Sequence, residues 1–323
     1  MSDGYPRLLG DIGGTNARWA WQSGSAAPLR DVSVMECKAS ASLYEAAASY
    51  VAARGGEAPT SACIGVATAV TGDDIVFTNS SWSFSVAALK RALGVERCLV
   101  INDFTALAMS LPALGAHDLR PIGGGQAVRG APIGLLGPGT GLGVSGLLTS
   151  PTGSCSALSG EGGHVTLAPT NELESEVLRC LRARHGHVSA ERVLSGFGLE
   201  NLYLASCDLL GQTPRGLVAA EVTQAAARAT DRACQQAVSL FSSFLGNVSG
   251  NLALTLGARG GVYIGGGIVP RLGEAFDTTL FRQRFEDKGR FESYLKAIPT
   301  WVITATTPAL LGASRALDDI DAR

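Results

Sequence analysis

Apolar and polar positions in the first third of the chain fall into short runs that switch between the period of a strand and the period of a helix. Leu8 and Leu9 open an apolar run that meets Asp11, then Gly13, Gly14, Thr15 and Asn16, and apolar residues resume at Ala17. Two such runs about a glycine-rich turn predict a β-hairpin. Next come an amphipathic helix over ASLYEAAASYVAAR, a strand ACIGVAT, a loop holding FTNSSW, a short helix SVAALKRAL and an apolar strand CLVIND, which runs directly into the helical stretch FTALAMSLPAL. Strands alternating with helices imply an α/β fold whose sheet is covered by helices.

The pattern then restarts. A second glycine-rich hairpin is predicted over IGLLGPGTGLGVSGLL, and two similar hairpins in one chain suggest a duplicated architecture. Helical patterns dominate afterwards: NELESEVLRCLRAR, GLENLYLASCDLL and one long span from about Glu221 to Leu256, interrupted later by the apolar strand GVYIGGG. A strand, WVITAT, and a helix, PALLGASRALDDI, close the pattern. Linkers rich in proline, serine and charge are absent, so the two halves are expected to pack closely around a cleft.

Composition narrows the class. The 323 residues are 46% hydrophobic and 17% charged, as in a well-packed globular enzyme. A net charge of -2 and the lack of a long basic run argue against nucleic acid as the main partner. The uncharged stretch APIGLLGPGTGLGVSGLLTS is long enough to cross a bilayer, but its glycines and Pro138 suit strand-turn-strand better than a spanning helix, and no membrane partner is expected. No basic-then-apolar signal opens the sequence. Seven cysteines stand singly with no CxxC pair, which removes support for structural zinc and for thioredoxin-like chemistry and points to the reducing cytoplasm.

Asp11 is the first candidate for chemistry. An aspartate bonding to its own turn is one account of it. The other is a phosphate and metal site, in which bare glycine N–H groups face an anion and the carboxylate holds the accompanying cation. Glycine at Gly13 and Gly14 is expected here for positive φ angles. The Walker A pattern is absent, and GPGTGLG misses the dinucleotide pattern because Leu142 occupies its last glycine position. What remains is a pair of hairpins, each offering backbone N–H groups and a threonine hydroxyl, able to clamp a triphosphate without a P-loop.

Seven blocks carry a resemblance: GDIGGTNAR, TNSSWSFS, INDFTA, GPGTGLG, GEGGHV, SAERVLSG and GGVYIGGGIVPR. In this order and spacing, from about Leu8 to Leu317, the chain resembles bacterial glucokinases. The resemblance implies the two-domain actin-like, hexokinase-type (ribonuclease H-like) α/β fold with a cleft, divided into a small domain over residues 1–112 plus 302–323 and a large domain over 113–301. It also implies transfer of phosphate from ATP, with Mg²⁺, to D-glucose, and a homodimer. Gly10, Asp11, Ile12, Gly13, Gly14 and Thr15 of the first hairpin and Gly139, Thr140 and Gly141 of the second are expected to hold the ATP phosphates, with Gly265, Gly266 and Gly267 under the adenosine and Asp11 at the metal.

The same resemblance makes Asp103 the base that deprotonates the sugar 6-hydroxyl and makes Asn79, Asn102, Glu161, His164 and Glu191 sugar contacts. Each has a plainer alternative. Asp103, between a strand and a helix, would serve equally as an N-cap. Glu161 and His164 share a glycine-flanked loop that suits a sugar's mixed donors and acceptors, although a histidine there is more often a surface residue. Glu191 would sit well beside a helix dipole. His117, His185 and His187 match no motif and are left as surface or structural residues.

Three departures from the family pattern stand out: Ser159 before GEGGH and Phe197 in SGFGL replace prolines, and TNSSW is an unusual filling. The zinc-binding cysteines of the related repressor and kinase group are missing. A kinase for another hexose or an amino sugar fits nearly as well. A DNA-binding sugar regulator would need a helix-turn-helix before the first hairpin, where ten residues precede Asp11.

Overall fold

The computed structural model describes residues 4–77 and 82–321. The chain divides into two compact units, one of Met1–Gly115, Thr152–Ser159 and Ala305–Arg323, the other of Ala116–Pro151 and Gly160–Thr304.

The first unit is built on a sheet of five strands: β1 (Arg7–Ile12), β2 (Asn16–Gln22), β3 (Arg30–Glu36), β4 (Ser61–Val66) and, after the short antiparallel pair β5 (Asp74–Val76) and β6 (Ser83–Ser85), β7 (Arg97–Asn102). Their spatial order is β3-β2-β1-β4-β7. β3, β2 and β1 run antiparallel, whereas β1, β4 and β7 run parallel. Burial follows position. Every residue of the inner strand β4 is buried, and the edge strand β3 is mostly exposed. A parallel strand covered by helices on both faces carries a continuous apolar run for that reason.

Helices α1 (Leu43–Ala53), α2 (Val86–Leu93) and α3 (Asp103–Ser110) start where a side chain accepts from the first turn: Ser42 from Glu45 N–H, Ser85 from Ala88 N–H, and Asn102 from Phe104 and Thr105 N–H. Such a bond satisfies donors that the helix itself leaves unpaired. α3 lies against the C-terminal helix Pro308–Asp321, where a Cβ on Gly312 would stand 1.6 Å from Ala106 O, so only glycine permits the approach. The buried Arg7 ties β1 to that helix through Ser314 O at 3.1 Å and Asp318 Oδ1 at 2.7 Å.

In the second unit, β8 (Leu119–Pro121), β9 (Ile133–Pro138), β10 (Leu142–Thr149) and the strands Val262–Ile264 and Thr300–Ile303 share a sheet. β9 and β10 form the second hairpin expected from the sequence. Val262–Ile264 and Thr300–Ile303 add in parallel to β9, and β8 closes the edge antiparallel. The helices α4 (Glu172–His185), α5 (Gly196–Leu210), α6 (Ala219–Ala227) and α7 (Arg232–Leu256) bury Leu178, Leu202, Phe241, Phe244 and Leu245 in one core.

The long helical span expected from Glu221 to Leu256 is two helices, α6 and α7. Ala229 takes a left-handed φ of 54°, and Asp231 opens α7 by accepting from Cys234 N–H. α7 is long and apolar enough to cross a membrane, and its apolar residues are instead spent on the core, where most of them are buried. Glu174, fully buried at the start of α4, accepts from Thr170 and Ser243 and faces Arg284. Those bonds hold its carboxyl below the usual range although burial alone pushes it up.

Candidate functional site

In the first unit the parallel strands β1, β4 and β7 end side by side. Asp11 on β1 is in register with Gly65 on β4, and Gly65 with Ile101 on β7, one residue before Asn102. Two strand spacings of about 4.8 Å therefore separate Asp11 from Ile101 by roughly 10 Å, and Asp103 follows two residues later at the carboxyl end of the same sheet. That edge is where ligands bind in open α/β sheets. Gly65 lets α3 begin there, since a Cβ on it would lie 3.3 Å from Ala106 Cβ and 3.6 Å from Asp103 Cα.

Asn102 and Asp103 divide the work at the start of α3. Asn102 is the N-cap: its Oδ1 accepts from Phe104 N–H at 2.9 Å and Thr105 N–H at 3.3 Å, while its Nδ2 donates to Thr68 O at 3.2 Å. One N–H of the amide is left for another partner. Asp103 is the first helical residue, half-buried, with Oδ1 accepting from the adjacent Phe104 N–H at 2.9 Å. The helix has its cap without Asp103, and the cap reading of that residue is corrected accordingly.

The turn between β1 and β2 is closed by Gly13 N–H donating to Asn16 O at 2.9 Å and is buttressed by Cys37, whose N–H donates to Thr15 O at 2.8 Å. Thr15 is exposed at its tip. Gly10, deeper in β1, lies under the ring of Trp19, where a Cβ would come within 2.9 Å. Ile12 is buried. Gly13 and Gly14 do not take positive φ angles, contrary to the expectation from the turn. A Cβ on Gly13 would meet Asn16 O at 3.5 Å, an ordinary contact.

Asp11 pairs across the hairpin with Arg18, Nη1 to Oδ2 at 3.1 Å. Burial pushes its carboxyl above the usual value, and Arg18 offsets only part of that. Arg18 was not among the residues singled out from the sequence. The signal for it is the hairpin register, which puts Arg18 opposite Asp11. Asn79 lies outside the described residues.

The second unit gathers four of the quoted blocks. At the tip of the β9–β10 hairpin, Gly139 N–H donates to Gly141 O at 2.8 Å, and Thr140 is exposed. Neither Gly139 nor Gly141 has a positive φ. A Cβ on Gly139 would have nothing nearer than Gly141 O at 4.0 Å. The GGG block adjoins the same strand end. Gly265 N–H donates to Leu136 O at 2.8 Å, and Gly266, at φ +75°, would bring a Cβ to 2.3 Å from Pro138 O, so both conformation and space demand glycine there. Gly267 opens the short helix Ile268–Leu272.

Glu161 precedes the 3-10 turn Gly162–His164 and His164 ends it, and both residues are exposed. The turn packs on β10 so closely that a Cβ on Gly163 would stand 2.1 Å from Leu142 O, and one on Gly162 would stand 2.8 Å from the Val144 side chain. Ala190 N–H donates to Val165 O at 2.9 Å and fastens the next segment to it. Glu191 reaches from there to the hairpin, its Oε2 accepting from Leu142 N–H at 2.8 Å. A first-turn glutamate facing solvent would not make that contact. His187 bonds Thr166 at 2.9 Å and His185 bonds Asn201 at 3.2 Å, which are structural roles for both.

Comparison with known proteins adds the following. The family model described as Glucokinase matches residues 8–320. A glucokinase of Aromatoleum aromaticum is 51% identical over 98% of this chain and 96% of its own length, and one of Chromobacterium violaceum is 47% identical over 99% and 91%. The solved structure of a glucokinase from an Antarctic psychrotroph superposes with a TM-score of 0.89 at 35% identity, covering 97% of this chain and 99% of that one. The fold is thus the two-domain actin-like one of such kinases.

Proposed function

Because the chain belongs to the glucokinase family, we propose that it transfers the terminal phosphoryl group of ATP to the 6-hydroxyl of D-glucose, giving glucose 6-phosphate and ADP. The observation that carries this reading is the pair of hairpin glycines, Gly13 and Gly139. Neither takes a positive φ, and a Cβ on either would meet only ordinary contacts or none. The fold does not require glycine at those positions, and bare backbone there leaves an anion room to approach the N–H groups closely.

Gly10 to Thr15 and Gly139 to Gly141 hold the phosphates, and Gly265 to Gly267, packed against the end of β9, lie under the adenosine. Phosphoryl transfer needs little covalent chemistry from the protein beyond positioning and charge stabilisation, and N–H groups on rigid hairpins supply both. Asp103 accepts the proton of the sugar 6-hydroxyl, a task open to it because Asn102 has taken over the cap. Asn102 offers the sugar its remaining N–H, and Glu161, His164 and Glu191 bind the ring through mixed donors and acceptors. Asn79 belongs to this pocket in the same reading.

Asp11 suits the ion that travels with the nucleotide. Among the described residues no group of three or more His, Cys, Asp or Glu could cage a metal. Mg²⁺ does not need one, because it keeps several waters and binds through one or two carboxylates plus phosphates. A carboxylate that burial has pushed up gains from a nearby cation, and Asp11 is such a group. When bound, Mg²⁺ neutralises charge on the phosphates. Seven free thiols support a cytosolic setting. The homodimer rests on the family resemblance alone, and light scattering on the purified protein tests it.

The deciding experiment is a coupled ADP-release assay across a panel of hexoses and amino sugars, run with ATP, ADP and polyphosphate as donors. The highest kcat/KM is expected for glucose with ATP. A higher value for mannose, glucosamine or a different donor refutes the assignment of substrate or donor, and no ADP release with any sugar refutes the kinase.

A further inference from the structure

The hairpin tip Gly139–Leu142 and the segment Ser189–Gly198 are joined by two hydrogen bonds that run in opposite directions. Gly196 N–H donates to Gly139 O at 2.9 Å, and Leu142 N–H donates to Glu191 Oε2 at 2.8 Å. The anchor is fixed at its other end as well: Ser195 Oγ donates to Glu191 O at 2.8 Å and itself accepts from Gly198 N–H at 2.9 Å. Gly141 is shaped to this contact, since a Cβ on it would stand 2.5 Å from Glu191 Oε2.

We propose that Glu191 is a positioning residue for the phosphate hairpin, so that its two carboxylate oxygens link the bound sugar to the shape of the loop that receives ATP. This rests on the reading of the hairpin as a phosphate cradle and of Glu191 as a sugar contact. A hydrogen bond to an ionised acceptor is the strong kind and directional. Held at Leu142 by Glu191 and at Gly139 by Gly196, the tip cannot rotate its remaining N–H groups away from an incoming anion. A sugar hydroxyl donating to Oε1 fixes the plane of the carboxylate, and with it the direction in which Oε2 pulls Leu142. By linkage, any effect of the sugar on nucleotide affinity through this contact equals the effect of the nucleotide on sugar affinity.

The test measures each ligand alone, by calorimetry: glucose without nucleotide, and a non-hydrolysable ATP analogue with Mg²⁺ but without glucose. Glu191→Ala should weaken the analogue about tenfold although no sugar is present. Glu191→Gln should bind the analogue within about threefold of the parent, because its carboxamide oxygen still accepts from Leu142 N–H, while glucose stays weakened. Gly141→Ala, a change in the hairpin, should weaken glucose by displacing the Glu191 carboxylate. That third variant is an independent arm if Glu191→Ala melts early.

Unchanged analogue binding by Glu191→Ala overturns the positioning role, even where glucose binding is lost and the sugar contact stands. Equal loss of the analogue in Glu191→Ala and Glu191→Gln overturns it too, since the amide keeps the bond. If Gly139→Val also binds the analogue normally, the cradle reading has failed and the proposal falls with it.

Discussion

Replacing Asp103 with asparagine separates the two roles open to that residue, because the cap itself belongs to its neighbour. The helix α3 is capped by Asn102, which accepts from two N–H groups, so the substitution removes no cap. Asp103 Oδ1 accepts from Phe104 N–H at 2.9 Å, and an asparagine oxygen in the same place accepts equally well. The negative charge removed from the first turn is itself worth about 0.3–1 kcal/mol beside the helix dipole. At roughly 2–4 °C per kcal/mol for 150–250 residues, and less for the 323 here, loss of that charge should lower the melting temperature by no more than about 4 °C.

The rate should respond on another scale. An amide cannot take the proton of the 6-hydroxyl, and a positioned base contributes about 10²–10⁴-fold. The expected protein is folded, binds glucose and has kcat lowered at least about a hundredfold. Scanning calorimetry and a coupled ADP assay on one preparation give both numbers. Asn102→Ala is the stability control, expected to lose about 1 kcal/mol with the cap. Turnover by Asp103→Asn within about tenfold of the parent refutes the base assignment, as 10²-fold is the least such a group supplies. A melting temperature lower than that of Asn102→Ala refutes the structural argument instead.

Three further outcomes follow from the same geometry. Gly139→Val should fold normally, since the added side chain points into open space, and should raise the KM for ATP while glucose binding survives; unchanged ATP kinetics remove the second hairpin from the phosphate site. Glu161→Ala and His164→Ala should raise the glucose KM by about tenfold each with little change for ATP, and normal glucose calorimetry in both takes the Gly162–His164 turn out of the sugar site. Asp11→Asn should weaken activity yet gain stability relative to the parent as pH rises. Burial pushes the Asp11 carboxyl above 3.8, so the folded state binds its proton more tightly than the unfolded chain, and the parent alone loses that stability above about pH 4. Urea titrations that show a constant difference between about pH 4 and 7 contradict this.

Both hairpins could be read directly from the chain. Apolar runs flanking glycines fix a turn through neighbours only a few residues away, and β1–β2 and β9–β10 form where that pattern puts them. The role of the glycines in the first turn is not legible there. The expectation at Gly13 and Gly14 was backbone conformation, whereas the folded turn leaves them in ordinary φ. The break between α6 and α7 was hidden because Arg228, Ala229 and Thr230 carry neither proline nor glycine, and only the positive φ at Ala229 and the Asp231 cap reveal it.

By itself the sequence determined which residue types meet at each turn and strand end, and so the kind of chemistry available: bare glycines with a carboxylate, paired Asn and Asp before a helix, an acid and an imidazole in one loop. Those follow from local periodicity and from the stereochemistry of single residues. Only the tertiary structure decided which of these groups is spent on holding the fold. Asn102 takes the cap because Thr68, on a segment 34 residues away, orients its amide. Arg18 claims Asp11 through the register of a hairpin, and Glu191 turns from solvent to the Leu142 N–H, 49 residues away. Hydrogen-bond partners so far apart in the chain leave no periodic trace in it, since what brings them together is the packing of strands and helices that lie between them.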